Sequence, residues 1–138
     1  MSPIIEFNER DILRSKIVTP AWYRVRIENV GEKPSNDGQS INWPIEGTII
    51  CNADNGSKEF SGVPTPENWM FNSKAKGFAT GFLESFGADI KAGSRFELNN
   101  TIGKELDVFI ENGTYNGRVQ NQINHKYRVA KSAATESV

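Results

Sequence analysis

Residues 114–124 read TYNGRVQNQIN, and the Asn116-Gly117 pair inside them is the strongest short-range signal for a two-residue hairpin. A type I′ turn needs positive φ at both central positions, which Asn and Gly supply at little cost. The pair therefore predicts one strand ending at Tyr115 and a partner running from Arg118 to about Val129. In that second strand Val119 and Ile123 share one face and are expected to meet a core. Arg118, Gln120, Gln122 and Asn124 alternate with them onto the other face, and no acidic residue lies between Glu111 and Glu136. Uncharged donors and a cation on an exposed strand face suit a polyanionic partner. The preceding strand is expected from near Lys104, with Leu106, Val108 and Ile110 facing inward and a bulge at Asn112-Gly113.

Working upstream, AWYRVRIENV (21–30) alternates strictly. Tyr23, Val25 and Ile27 point one way; Trp22, Arg24, Arg26 and Glu28 point the other. After a turn-rich loop, GEKPSNDGQS, a second strand is expected from Ile41 to Cys51. Ile41, Trp43, Ile45 and Ile49 share a parity there, and Pro44 places the strand at an edge or a bulge. A third short strand, KEFSGV (58–63), would complete an antiparallel meander. A helix starting at Asn72 or Ser73 then carries Phe78, Phe82 and Phe86 at four-residue spacing and ends on Gly87 as a C′ cap. Residues 1–19 form an extension that fits an edge strand or a short helix, packed or flexible, and 131–138 read as a disordered tail. Three strands, a helix and a hairpin form the layout of the OB-fold, a five-stranded antiparallel β-barrel with its helix between strands three and four. An all-β class with one helix is thus expected over residues 1–130, and a β-sandwich or a split-sheet α+β fold shares the same string of elements.

With 138 residues, 37% hydrophobic and 24% charged, the chain has the composition of one globular domain with a real core. Cys51 is the only cysteine and His125 the only histidine, which leaves disulfides, Cys/His zinc sites and CxxC redox chemistry without material. No stretch matches a P-loop, HExxH, GxSxG or a carboxylate cluster, so catalysis has no foothold and no cofactor is expected. No apolar run approaches a membrane span and the opening segment lacks a signal-peptide layout, which points to the cytoplasm. Net charge is −1, but the charges are sorted. Arg14, Lys16, Arg24 and Arg26 stand without acids between Ile12 and Ile27, as do Arg118, Lys126, Arg128 and Lys131 between Gly113 and Lys131. If the first and last strands lie on one surface, a basic stripe results.

Aromatic side chains stand beside these cations. Trp22 precedes Arg24 and Arg26; Trp69 and Phe71 precede Lys74 and Lys76; Tyr115 precedes Arg118; Tyr127 sits between Lys126 and Arg128. Flat rings for bases and cations for phosphates are the two ingredients of single-strand recognition. Trp22, on the arginine face, is the best candidate stacker.

The segments TPAWYRVRIENV, EKPSNDGQS, GFLESFGADI and IGKELDVFIENGTYNGRVQNQI resemble, in order and spacing, a family of small phage-encoded proteins considered to bind single-stranded DNA. The most recognisable element is the late run Gly103, Lys104, Leu106, Val108, then Tyr115 to Arg118, Asn121 and Ile123. The resemblance spans roughly residues 15 to 129 and departs at Ala21, where glycine is common. It implies a non-enzymatic OB-fold protein that coats single-stranded DNA in phage replication or recombination, within the cytoplasm of an infected bacterium. The expected interface is Trp22, Arg24, Arg26, Trp69, Lys74, Lys76, Tyr115, Arg118, Lys126 and Arg128. Phage or host replication and recombination proteins are further candidate partners, and exposed edge strands could pair copies into a homo-oligomer. The alternative reading is an OB-like adaptor for a recombinase, nuclease or host factor, favoured by the acidic stretch from Glu28 to Met70. A small nuclease ranks third.

Overall fold

The computed structural model describes residues 2–130. The alternating segment forms strand β1 (Ala21–Val30), with Tyr23, Val25 and Ile27 buried as their parity requires. β1 pairs antiparallel with β3 (Ile41–Asn52) on one side and with β5 (Glu105–Tyr115) on the other. The short β2 (Lys33–Pro34) continues the β1 ladder: Val30 faces Ile45, Lys33 faces Asn42 and Pro34 faces Ile41 in one register. β4 (Met70–Asn72) lies on the opposite flank of β3, where Asn42 also meets Asn72. β6 (Arg118–Val129) pairs with β5. The spatial order is therefore β4, β3, β1 with β2, β5, β6, an open antiparallel sheet of six strands with few helices. The all-β class expected from the sequence is thereby met.

The hairpin turn is as its residues dictate. Tyr115 faces Arg118, with φ of 51° at Asn116 and 76° at Gly117. Ile123 packs on the core, but Val119 is exposed, because the hairpin tip projects beyond the core beneath it. The bulge expected at Asn112-Gly113 is elsewhere. Those residues pair regularly with Asn121 and Gln120, and the register slips between Val108 and Ile110, where β6 accommodates extra residues around His125. His125 itself has φ of 56°.

Two other expectations are corrected. KEFSGV is not a strand: Ser61 and Val63 donate to the Lys58 and Phe60 carbonyls in successive turns, and Gly62 adopts φ of 90°. The segment after it, through Pro64 and Thr65, follows β3 irregularly, and the third meander strand falls instead on Met70–Asn72. Consequently the helix starts later and is shorter, a 3₁₀ turn (Lys76–Ala79) followed by α2 (Thr80–Glu84). The tighter winding of the 3₁₀ turn rotates Phe78 off the apolar stripe into an exposed position, while Phe82 is fully buried and Phe86 half-buried. Gly87, at φ of 90°, provides the Schellman cap: its N–H donates to the Glu84 carbonyl and that of Ala88 to the Leu83 carbonyl.

The extension contains α1 (Glu9–Arg14), opened by a capping box between Asn8 and Asp11. Leu13 and Val18 join the core. Asn121 then ties the segment to β6: its carbonyl accepts from the Val18 N–H at 2.9 Å and its amide donates to the Lys16 carbonyl at 2.8 Å. The core itself gathers Tyr23, Val25, Ile27, Ile45, Ile49, Val63, Trp69, Phe71, Phe82, Leu106, Val108 and Ile110 between the sheet and α2. The tail expected at 131–138 lies outside the described residues, and no described helix is long and apolar enough to cross a membrane.

Candidate nucleic-acid interface

The outer face of β1, β5 and β6 is built in rows set by the register. Trp22 sits opposite Phe109, Arg24 opposite Asp107 and Arg26 opposite Glu105, and Asp107 in turn faces Arg128. In the first row the indole and phenyl rings meet edge to face, with centroids 5.6 Å apart. Each ring carries a cation: the Arg128 guanidinium lies 4.3 Å from the Trp22 ring and the Lys126 ammonium 5.4 Å from the Phe109 ring. Asn124, outward on β6, contacts Glu111. Toward the turn, the face ends in Tyr115, 65% exposed, and exposed Arg118.

The second row is a buried ion network. Arg24 Nε donates to Asp107 Oδ1 at 3.1 Å with the two side chains 3% and 0% exposed, and Arg128 Nε donates to Asp107 Oδ2 at 3.3 Å. Arg128 also pairs with Asp54, from the loop after β3. Partial burial opposes the charge on Arg128, but the hydrogen bonds to Asp54 and Asp107 outweigh it and raise its pKa. The basic stripe expected from charge sorting is therefore largely compensated: Arg26 pairs with Glu105, Arg24 and Arg128 share Asp107.

Two of the expected interface residues are interior. Trp69 is 2% exposed and donates its indole N–H to the Tyr127 hydroxyl at 2.8 Å, so no base can reach its face. Arg24 is closed off within the ion network. Lys74 and Lys76 stand apart from the Trp22 row: Lys74 pairs with Asp37 at the end of β4, and Lys76 lines a groove beside α2. The structure brings together Trp22, Lys126 and Arg128, with Arg26 one row away and Tyr115 and Arg118 at the hairpin end. Trp43, expected in the core, is only half-buried and donates its indole N–H to Glu32 at 3.2 Å.

Sequence reasoning missed Phe109 and the acids at 54 and 107. Phe109 was findable, since inward parity at Leu106, Val108 and Ile110 places Asp107, Phe109 and Glu111 outward. Asp54 had no local signal, because its partner is 74 positions away.

A comparison with protein-family models and with curated proteins finds no match.

On the inner side of β6, the bulge turns His125 toward the helix side, where its ring lies 4.9 Å from Phe78. Its Nδ1 is 3.1 Å from the Tyr127 hydroxyl. The Trp69 indole can only donate, so the Tyr127 oxygen accepts from it, and the same hydroxyl lies within hydrogen-bond reach of His125 Nδ1. Burial lowers the His125 pKa and raises that of Tyr127. This chain of side chains joins the β4 and β6 regions and explains why Trp69 is structural. Among the described residues no group of three or more His, Cys, Asp or Glu could hold a metal ion.

Proposed function

We propose that the protein binds single-stranded DNA, without catalysis and with little sequence preference, through the outer face of β1, β5 and β6. The observation that carries this reading is the Trp22 and Phe109 pair, two half-buried rings on the sheet surface with Arg128 over one and Lys126 over the other. Bases stacking on such rings bring their phosphates to the cations beside them, and each stacked base contributes about 1–3 kcal/mol. Lys126 and Arg118 carry the phosphate contacts; Arg26 and Arg128 already have carboxylate partners and contribute less. Gln120, Gln122 and Asn124 supply neutral donors between the rings and the hairpin end.

The fold reading belongs with this proposal. The order β4, β3, β1, β5, β6 with the helix between β4 and β5 fits an OB-fold, and the Trp69–Tyr127 hydrogen bond supports a barrel closed by side chains where β4 approaches β6. The resemblance to phage-encoded single-strand binders supports a role in replication or recombination in an infected bacterium.

The test is a gel shift with oligo-dT at two salt concentrations. With about two phosphates neutralised, log K should fall against log salt with a slope near −1.4, and Lys126→Ala should reduce that slope by about 0.7. Absence of any shifted band at micromolar protein overturns the proposal.

A further inference from the structure

The loop after β3 holds its shape without help from the Asp54 carboxylate. Asn52 donates its N–H to the Ser57 carbonyl at 2.8 Å, and its side-chain oxygen accepts from the N–H groups of Asp54 and Asn55 at 2.8 and 3.0 Å. Gly56, at φ of 74°, turns its N–H back to the Asn52 carbonyl. The Ala53 N–H donates to the Trp22 carbonyl at 2.8 Å, which fixes the loop against β1 beside the Trp22 row. The Asp54 carboxylate takes part in none of these bonds and is carried to Arg128 on β6.

Arg128 therefore lies between two carboxylates of different character. Asp107 accepts from its Nε at 3.3 Å, is fully buried and is shared with Arg24, so it is a fixed anchor that keeps the guanidinium 4.3 Å from the Trp22 ring. Asp54 meets Nη2 in the open, with its side chain 58% exposed and that of Arg128 27% exposed. An ion pair so open to water contributes little and gives way readily to another anion. Phosphate and carboxylate offer a guanidinium the same kind of acceptor oxygens. A phosphate in the place of the Asp54 carboxylate would adjoin a base stacked in the Trp22 row.

We infer that this outer side of Arg128 is a phosphate subsite, filled by Asp54 in the free protein and taken over by a DNA phosphate on binding. The inference rests on the DNA-binding reading of this face. Asp54 is then a tethered competitor: the loop keeps its carboxylate at high effective concentration beside Arg128. It withholds one cation from the strand and reclaims it when the phosphate leaves. Asp54 thereby sets both the affinity of the face and its salt dependence.

The experiment is an oligo-dT titration at two salt concentrations of the parent, Asp54→Ala, Arg128→Gln, the two combined, and Glu59→Ala. Glu59 is exposed farther along the same segment, and its removal makes the same change in net charge. Asp54→Ala should bind roughly 2- to 5-fold more tightly at the lower salt, the amount that an exposed ion pair withholds. Its slope of log K against log salt should steepen by about 0.7, the equivalent of one further phosphate. Neither change should follow from Asp54→Ala in the Arg128→Gln background, and Glu59→Ala should leave the slope at the parental value. Circular dichroism checks each fold; if Arg128→Gln unfolds, the slopes of Asp54→Ala and Glu59→Ala decide, equal slopes overturning the inference. Parental affinity and slope in Asp54→Ala, or a gain that survives Arg128→Gln, overturns the subsite and leaves the DNA reading standing. No binding of oligo-dT by the parent or by Asp54→Ala overturns both.

Discussion

Replacing Asp107 by asparagine should be among the most damaging single changes in this protein, although it alters one atom. Asp107 is fully buried and accepts from Arg24 and Arg128 through separate oxygens at 3.1 and 3.3 Å. Asparagine keeps one acceptor and turns an NH₂ toward the other guanidinium, setting donor against donor. Arg128 retains Asp54, but Arg24, with its side chain 3% exposed, has no route to water. Removing one partner of a buried ion pair costs about 3–5 kcal/mol. Against a total of roughly 5–15 kcal/mol, that is about a fifth of the stability or more. In urea, with a slope near 2 kcal/mol per molar, the unfolding midpoint should drop by about 2 M, followed by tryptophan fluorescence. Arg24→Met combined with Asp107→Leu should cost less than Asp107→Asn alone, because it removes both buried charges together. A loss under about 1 kcal/mol for Asp107→Asn, or a double variant less stable than the single one, would refute the reasoning.

Trp69→Ala should destabilise by about 3–5 kcal/mol through the cavity it opens, and what folded protein remains should bind oligo-dT as the parent does; a selective loss of binding would return Trp69 to the interface. Gly47→Ala should also destabilise, by about 1–3 kcal/mol as overpacking does, because the added methyl would sit 2.6 Å from Val25 Cγ1 and 3.0 Å from the Arg26 carbonyl; an unchanged thermal midpoint would show that β1 and β3 can part. For His125, burial lowers the pKa, so the unfolded chain takes up its proton more readily than the folded one. Its contribution is complete above the ordinary value of 6.5 and is lost as pH falls below that, down through the folded pKa. Stability measured at pH 7.5 and 5.5 should therefore fall more in the parent than in His125→Asn, whose asparagine tolerates the positive φ; equal falls would contradict the assignment.

The strands were legible wherever one face is buried. β1, β3 and β6 begin and end within a residue or so of their sequence-based bounds, because two-residue alternation, Pro20, Asp37-Gly38 and Asn116-Gly117 punctuate them locally. The third meander strand was misplaced because its partner choice is nonlocal. KEFSGV has the composition of a strand, yet Gly62 at positive φ turns it, and the shorter Met70–Asn72 gains the pairing with β3. The helix was overextended for a related reason: Asn72, read as a cap, donates its amide to Ser40 and Asn42 across the sheet, and its oxygen accepts from the Lys74 N–H in a local turn that no helix continues. At the interface, parity correctly turned Trp22, Arg24 and Arg26 away from the core side chains. It could not show that Asp107 and Asp54 would take up two of the arginines, since a strand's outward face becomes interior only when charges from distant segments cover it.

The central claim rests on Trp22, and titrating oligo-dT into the parent, Trp22→Phe and Trp22→Ala while following tryptophan emission tests it most directly. The account predicts quenching in the parent, near-parental affinity with most of the quenching gone in Trp22→Phe, and affinity reduced by roughly 5- to 150-fold in Trp22→Ala, the equivalent of one stacked base. Undiminished affinity in a folded Trp22→Ala, or quenching that persists in full in Trp22→Phe, would contradict it.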